Sequence, residues 1–156
     1  MNTKTNWQKD PKLQEVKLTY NTKIKPQDRI FLTTPDEAHA YLQDVWDMDK
    51  IELHEEFFVI MLDTSLRVLG WNKLSTGSKS ATVVDVPHIA VSAVLANASS
   101  VIVAHNHPSG TLKPSTADIH LTKRISKALA LFSINLDDHL IVTRDAYMSF
   151  KTRKLL

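Results

Sequence analysis

Two histidines and one aspartate stand at a spacing that could hold a metal ion. His105 and His107 follow the apolar run 101–104, and side chains two apart on a strand point to the same side. Ser115 and Asp118 stand at the start of a helical pattern, where residues three apart share a face. Two imidazoles and one carboxylate suit a catalytic zinc ion that keeps its fourth position open to water. The spacing therefore predicts a metal site built from His105, His107 and Asp118.

Hydrolysis at such a site also needs an acceptor for the proton of the attacking water. Glu55 begins the apolar segment 55–62, which is an unusual place for a carboxylate unless it lies at a strand end. It could take that proton and return it to a leaving amine. Glu56 would point to the opposite face, so only one of the two glutamates can serve. We expect Glu55 to be the general base, and Ser115 to donate a hydrogen bond to the oxyanion of the intermediate.

Each of these features also has a structural interpretation. The pattern Ser115-x-x-Asp118 is typical of a helix capping box, and Glu55 could be an exposed charge at a strand end. Asp138 and His139 precede a late apolar segment, where either could orient a metal ligand. A buried, hydrogen-bonded structural role for His139 is an equal alternative. The structural interpretations give no reason for all of these features to occur together.

The surrounding segments alternate between helical and extended patterns. Residues 33–37 combine hydroxyl caps, an early proline and acidic residues, which indicates a helix start. Strands interleaved with helices predict an α/β domain, with a mixed sheet, helices on its faces and a site at the end of the strand 101–104. The predicted helices cover 34–46, 87–99 and 115–132, the predicted strands cover 16–20, 55–62, 66–75, 101–104, 134–136, 139–143 and 147–150, and residues 76–85 are predicted to form a polar loop that leads into a short extended piece.

Composition narrows the chemistry and the compartment. The 156 residues are 43% hydrophobic and 23% charged, which indicates one globular domain. The chain has no cysteine, which excludes disulfides, thiolate ligands and the cysteine pair of a zinc deaminase. No apolar run approaches the roughly 20 residues of a membrane helix, and the N-terminus lacks the apolar centre of a signal peptide. We therefore expect a cytoplasmic protein without a membrane partner.

The charge is unevenly distributed along the chain. Residues 1–30 contain seven basic and three acidic residues, a net charge of +4 in a chain whose total is +2. We predict a basic N-terminal arm over residues 1–30, followed by one domain over residues 31–156. The arm could bind the phosphates of a nucleic acid, although a solvated terminus is the simpler interpretation.

The metal-site residues and the strings around them resemble a known family. The order His105-x-His107, seven intervening residues, Ser115, two more residues and Asp118 is similar to the JAMM (MPN+) metalloprotease signature. The strings HNHPSG, PSTAD, DHLIV and HEEFFVIMLD resemble the RadC branch of that superfamily. The similarity covers roughly residues 30–156, and a multi-residue chemical pattern of this kind is more specific than a short glycine motif.

This resemblance implies a three-layer α-β-α domain with a mixed sheet, of the JAB/MPN, cytidine-deaminase-like type. It implies that Zn²⁺ is bound by His105, His107 and Asp118, with Glu55 as general acid and base and Ser115 as oxyanion support. JAMM relatives hydrolyse amide and isopeptide bonds. The expected function is therefore that of a zinc metallopeptidase with a peptide or protein substrate.

Two other functions remain open at this stage. The RadC name suggests a DNA-repair or mobile-element-associated protein that binds DNA through an N-terminal helix-hairpin-helix, but residues 1–30 are too short and too polar to form one. The second function is that of an interaction scaffold that keeps the fold without turnover, although such a scaffold has no need of an open metal site. The sequence leaves open the substrate, the oligomeric state, and whether iron or manganese replaces zinc on these ligands.

Overall fold

The computed structural model describes residues 23–76 and 84–156. The predicted strand 16–20 and most of the predicted polar loop 76–85 lie outside these residues. The helices are α1 (Pro35–Val45), α2 (Val86–Leu95) and α3 (Thr116–Ala130), the strands are β1 (Glu56–Leu62), β2 (Val68–Thr76), β3 (Ser100–Asn106), β4 (Asn135–Val142) and β5 (Tyr147–Ser149), and a short 3₁₀ helix covers Pro26–Asp28.

The five strands form one mixed sheet in the order β2-β1-β3-β4-β5. The β3–β4 pair is parallel and the other three pairs are antiparallel. Every residue of β1 and β3 is buried, as expected for the apolar runs of central strands that are covered on both faces. The mixed sheet predicted from the sequence is therefore confirmed.

Helices cover both faces of this sheet. On one face, Leu42 and Trp46 of the α1 region pack with Phe58 and Ile60 of β1. On the other face, Phe57 of β1 packs into a second cluster that contains residues of α2 and α3. Because side chains alternate along a strand, neighbouring residues of β1 serve opposite layers. The result is the three-layer α-β-α arrangement that the sequence and the resemblance predicted.

Two of the helices begin with the same reciprocal hydrogen-bonding device. In α1 the Thr34 side chain accepts from the backbone of Glu37, whose carboxylate accepts in return. In α3 Ser115 and Asp118 form the same box. A capping box satisfies two backbone N–H groups that have no partner within the helix. The predicted starts of both helices are therefore confirmed.

The end of β3 differs from the prediction. The strand was predicted to stop at 104, before the polar residues, but it continues through His105 and Asn106. Both residues are buried. His105 pairs with Phe57 of β1 and with Ile141 of β4, and Asn106 pairs with Val142 of β4. Neighbouring strands on both sides therefore override the polar composition of this segment.

The late strands also differ from the prediction. Residues 134–136 and 139–143 were predicted as separate strands, but Asn135–Val142 is one continuous strand. A register shift between Val101 and Ile102 of β3 leaves Asp137 as the extra residue of a bulge. The bulge carries the polar Asp137-Asp138 pair without ending the ladder.

Among residues 23–76 and 84–156, no helix combines the length and the apolar character needed to cross a membrane.

Candidate metal centre

The two histidines converge at the end of β3. His105 is the sixth residue of β3, and His107 is the first residue after the end of this strand. Their Nε2 atoms lie 3.0 Å apart. The backbone N–H of His107 donates to the carbonyl of Val142 at 3.0 Å, which continues the β3–β4 ladder by one residue. The strand therefore holds both imidazoles on one side, as the spacing predicted.

Asp118 brings a carboxylate to the same point from the first turn of α3. Its Oδ1 lies 3.3 Å from Nε2 of His105, and its Oδ2 lies 3.7 Å from Nε2 of His107. Bonds of about 2.1 Å at tetrahedral angles put neighbouring ligand atoms about 3.4 Å apart. Within the described residues, these three side chains form the one group of His, Asp or Glu positioned to share an ion. The separations fit the coordination sphere of a single metal ion.

The charges at this point are strongly coupled. Partial burial by itself would raise the pKa of Asp118, but the neighbouring imidazoles of His105 and His107 outweigh it and hold that pKa well below its usual range. The nearby Asp118 carboxylate raises the pKa of His107 against the opposing effect of burial. The carboxylate is therefore ionised and attracts a positive charge to the space between the three side chains.

Ser115 is the residue before α3 and has a structural role there. Its Oγ accepts the backbone N–H of Asp118 at 3.1 Å, and its own N–H donates to Oδ2 of Asp118 at 2.7 Å. The capping interpretation of Ser115-x-x-Asp118 is therefore correct. The cap uses a lone pair of the hydroxyl, so the hydroxyl proton of this exposed residue remains able to donate to a substrate.

Glu55 lies on the metal-site side of the sheet. The β1–β3 register ends with Phe57 paired with His105, and extending it by two residues would set Glu55 opposite His107. The Glu55 carboxylate contributes to the raised pKa of His107, after the larger effect of Asp118. The structure thus brings Glu55 to the rim of the site, half-buried.

Glu56 serves the opposite face, as alternation along β1 requires. Its side chain is 1% exposed, and Oε1 accepts a hydrogen bond from Nζ of Lys73 at 2.8 Å. The same oxygen lies 3.2 Å from Nε2 of His54. Glu56 is therefore a buried carboxylate paired with an exposed lysine, away from His105 and His107.

Asn106 was not singled out by the sequence analysis, although it lies between the two histidines. Its Oδ1 accepts the backbone N–H of Glu56 at 2.7 Å, and its Nδ2 donates to the carbonyl of His54 at 2.9 Å. The amide therefore ties the segment before β1 to the end of β3 and positions Glu55. A polar residue between two same-face histidines must point to the other face, and this was the available signal.

His139 and Thr122 lie next to the site, beside the ring nitrogen of His105 that does not face Asp118. His139 of β4 is fully buried, and its Nε2 lies 2.8 Å from Nδ1 of His105. Its Nδ1 lies 2.7 Å from Oγ1 of Thr122 in α3. Burial lowers the pKa of His139 well below its ordinary value. His139 is thus both a buried residue and a neighbour of a candidate ligand. No local sequence pattern pointed to Thr122.

Asp138 has a different environment from that of His139. Its carboxylate accepts hydrogen bonds from the Ser149 hydroxyl at 2.6 Å and from the backbone N–H of Lys151 at 3.0 Å. It also accepts the backbone N–H of His139 at 2.7 Å. These contacts join β4 to the turn after β5, so that Asp138 has a structural role.

Comparison with known proteins identifies the family. A family model described as "RadC-like JAB domain" matches residues 32–155. The chain belongs to this family. The match includes all five residues predicted for the site. It confirms the resemblance to the RadC branch and the JAB/MPN-type fold that this resemblance implied.

Individual relatives of this RadC-like JAB domain are also similar to it. A UPF0758 protein of Porphyromonas gingivalis is 47% identical over 103 residues, which are 65% of this chain and 45% of that protein. A UPF0758 protein of Aquifex aeolicus is 35% identical over 130 residues, which are 83% of this chain and 54% of that protein. The chain spans about half the length of the curated relatives it matches.

Proposed function

We propose that this RadC-like JAB domain is a zinc-dependent hydrolase that cleaves an amide bond, peptide or isopeptide, in a peptide or protein substrate. One observation carries the proposal. His105 Nε2, His107 Nε2 and the Asp118 carboxylate face one another at 3.0, 3.3 and 3.7 Å. Two imidazole nitrogens and an ionised carboxylate at these separations are placed to share one metal ion.

The donor set fits zinc. Nδ1 of His107 lies 2.8 Å from the carbonyl of Thr111, which can only accept, so Nδ1 carries the proton and Nε2 is free to bind a metal. Two neutral imidazoles and one carboxylate form the three-ligand set of many catalytic zinc sites. A zinc ion held there would lower the pKa of a water molecule to about 7 and polarise the scissile carbonyl.

The residues of the chain would divide the remaining steps between them. Glu55, at the rim beside His107, would accept the proton of the attacking water and deliver it to the leaving amine. The Ser115 hydroxyl, whose proton the helix cap does not use, would donate to the oxyanion that develops on the carbonyl. Asn106 would hold Glu55 in place through its hydrogen bonds to the segment before β1.

An open groove lies beside the loop that joins His107 to Ser115, and none of the five candidate site residues lines it. It measures about 740 Å³, within the usual range for ligand sites, and begins at the loop between His107 and Ser115. The groove is lined by Leu112, Lys113, Pro114, Tyr147, Met148, Ser149, Thr152, Arg153 and Leu155.

The DNA-binding alternative depends on the basic segment 1–30, most of which lies outside the described residues, and none of the described contacts favours it.

Cleavage of defined probes tests the proposed function. The protein is stripped with a chelator, reloaded with one equivalent of zinc, and incubated with internally quenched peptides and with probes linked through a lysine ε-amine. We expect cleavage by the zinc form, loss on chelation and recovery on adding zinc. A zinc-loaded protein that cleaves no probe, or cleavage that survives chelation, would contradict the proposal.

The two capping boxes provide a matched control for Ser115. Ser115→Ala and Thr34→Ala should each cost about 1 kcal/mol of stability through the lost cap. Only Ser115→Ala should also lower kcat on a cleaved probe, by about 10²-fold or more. Equal turnover by the two variants would leave Ser115 with its structural role alone.

A further inference from the structure

A chain of buried polar contacts runs from the backbone of α3 to the candidate ligand His105. Oγ1 of Thr122 lies 2.7 Å from the backbone carbonyl of Asp118 and 2.7 Å from Nδ1 of His139. Nε2 of His139 lies 2.8 Å from Nδ1 of His105. Thr122, His139 and His105 are 1%, 0% and 3% exposed. Water therefore has little access to this chain, and the protein must satisfy each polar atom.

The contacts assign the protons in order. The Asp118 carbonyl can only accept, so the single hydroxyl proton of Thr122 is donated to it. The Thr122 oxygen must then accept from the other side, which requires a proton on Nδ1 of His139. A neutral His139 consequently presents an unprotonated Nε2, which accepts a hydrogen bond from the Nδ1–H of His105. His105 is left with a free lone pair on Nε2, the atom that faces Asp118.

The packing around His139 keeps this imidazole neutral. Its ring stacks on Phe150 at 4.5 Å between centroids and meets the edge of Phe57 at 5.8 Å. Among the described residues, no carboxylate forms an ion pair with His139. Burial and the neighbouring imidazoles of His105 and His107 disfavour an imidazolium here and outweigh the attraction of the Asp118 carboxylate. The neutral form, with one donor and one acceptor nitrogen, fits both of its partners.

We propose that Thr122 and His139 are positioning residues that fix the His105 proton on Nδ1 and so prepare its Nε2 to bind the metal. The inference rests on the proposed metal site. Asp118 and Thr122 are one turn apart on α3, so the same helix supplies a ligand and controls the tautomer of another. Hydrogen bonds that orient ligating histidines generally change metal affinity by about 10–100-fold when they are removed.

The tautomers can be measured in the metal-free protein. Long-range ¹H–¹⁵N spectra of the imidazoles, recorded at alkaline pH, distinguish a proton on Nδ1 from one on Nε2. We expect the Nδ1–H form for His139 and His105 in the wild type. Thr122→Val keeps the shape of the side chain but removes the hydroxyl, and we expect it to abolish the uniform Nδ1–H form. Thr122→Ser keeps the hydroxyl and should restore the wild-type spectrum.

Zinc affinity provides the second measurement. Competition with a chelating indicator should show zinc binding weakened by about 10–100-fold in Thr122→Val and close to wild type in Thr122→Ser. A proton on Nε2 of His105 in the metal-free wild type would overturn the inference, as would unchanged zinc affinity in Thr122→Val. The spectra need neither metal nor turnover. A protein with the expected tautomers and affinities that cleaves no probe would therefore refute the proposed hydrolase and leave this inference standing.

Discussion

Asp118→Asn is expected to weaken zinc binding by about 10²-fold or more while the domain stays folded. Four-ligand zinc sites bind with about 10–16 kcal/mol, or roughly 3 kcal/mol per ligand, which corresponds to about 10²-fold for one ligand. The asparagine oxygen can still accept the Ser115 N–H that caps α3, now bonded to Oδ2 at 2.7 Å. Competition with a chelating indicator measures the affinity, and thermal unfolding of the metal-free protein checks the fold.

Glu37→Gln is the matched control for this variant. Glu37 occupies the same position in the capping box of α1 as Asp118 does in that of α3. Helix α1 packs on the other face of the sheet, so the change should leave zinc affinity unaltered. If both variants bind zinc as tightly as the wild type does, Asp118 is only a capping residue and the proposed ligand set is wrong.

Glu55→Gln is expected to lower the turnover of a cleaved probe by about 10²–10⁴-fold, the usual contribution of a general acid and base. Zinc affinity should stay within a few-fold of wild type, because Glu55 lies at the rim of the site and not among the three ligand residues. An amide at this position keeps the size of the side chain but cannot take a proton from water. Initial rates on the zinc-loaded variant, with zinc content measured in the same samples, separate loss of chemistry from loss of metal.

Glu52→Gln controls for the loss of a negative charge nearby. Glu52 lies three residues before Glu55, and its side chain is 60% exposed in a surface pair with Arg144. Surface pairs of this kind contribute little to stability, so this variant should be fully active. Wild-type turnover in Glu55→Gln would assign the general base to another group.

The parts of the site that depend on local periodicity could be predicted from the sequence. A separation of two residues along a strand brings His105 and His107 to one side of the sheet. The alternation of side chains along β1 separates Glu55 from Glu56. The capping box placed Asp118 in the first turn of α3, where its carboxylate faces back toward β3. Each of these inferences uses the geometry of a single element, and the structure agrees with that geometry.

The parts that depend on pairing between distant segments could not be predicted in this way. The register of β3 and β4 pairs Val103 with His139, and it follows from the bulge at Asp137, which no local pattern signals. Thr122 meets His139 only because α3 packs over β4. Asn106 reaches the backbone of His54 and Glu56, about fifty residues earlier in the chain. For the same reason, the predictions ended β3 too early and divided β4.

The central claim is that His105, His107 and Asp118 together bind one divalent ion. Its most direct test is an anomalous difference map at the zinc edge, from crystals of the zinc-loaded protein. We expect one strong peak per chain, about 2.0–2.2 Å from Nε2 of His105, Nε2 of His107 and a carboxylate oxygen of Asp118. A map with no peak at this point, or with zinc bound only at other histidines, would contradict it.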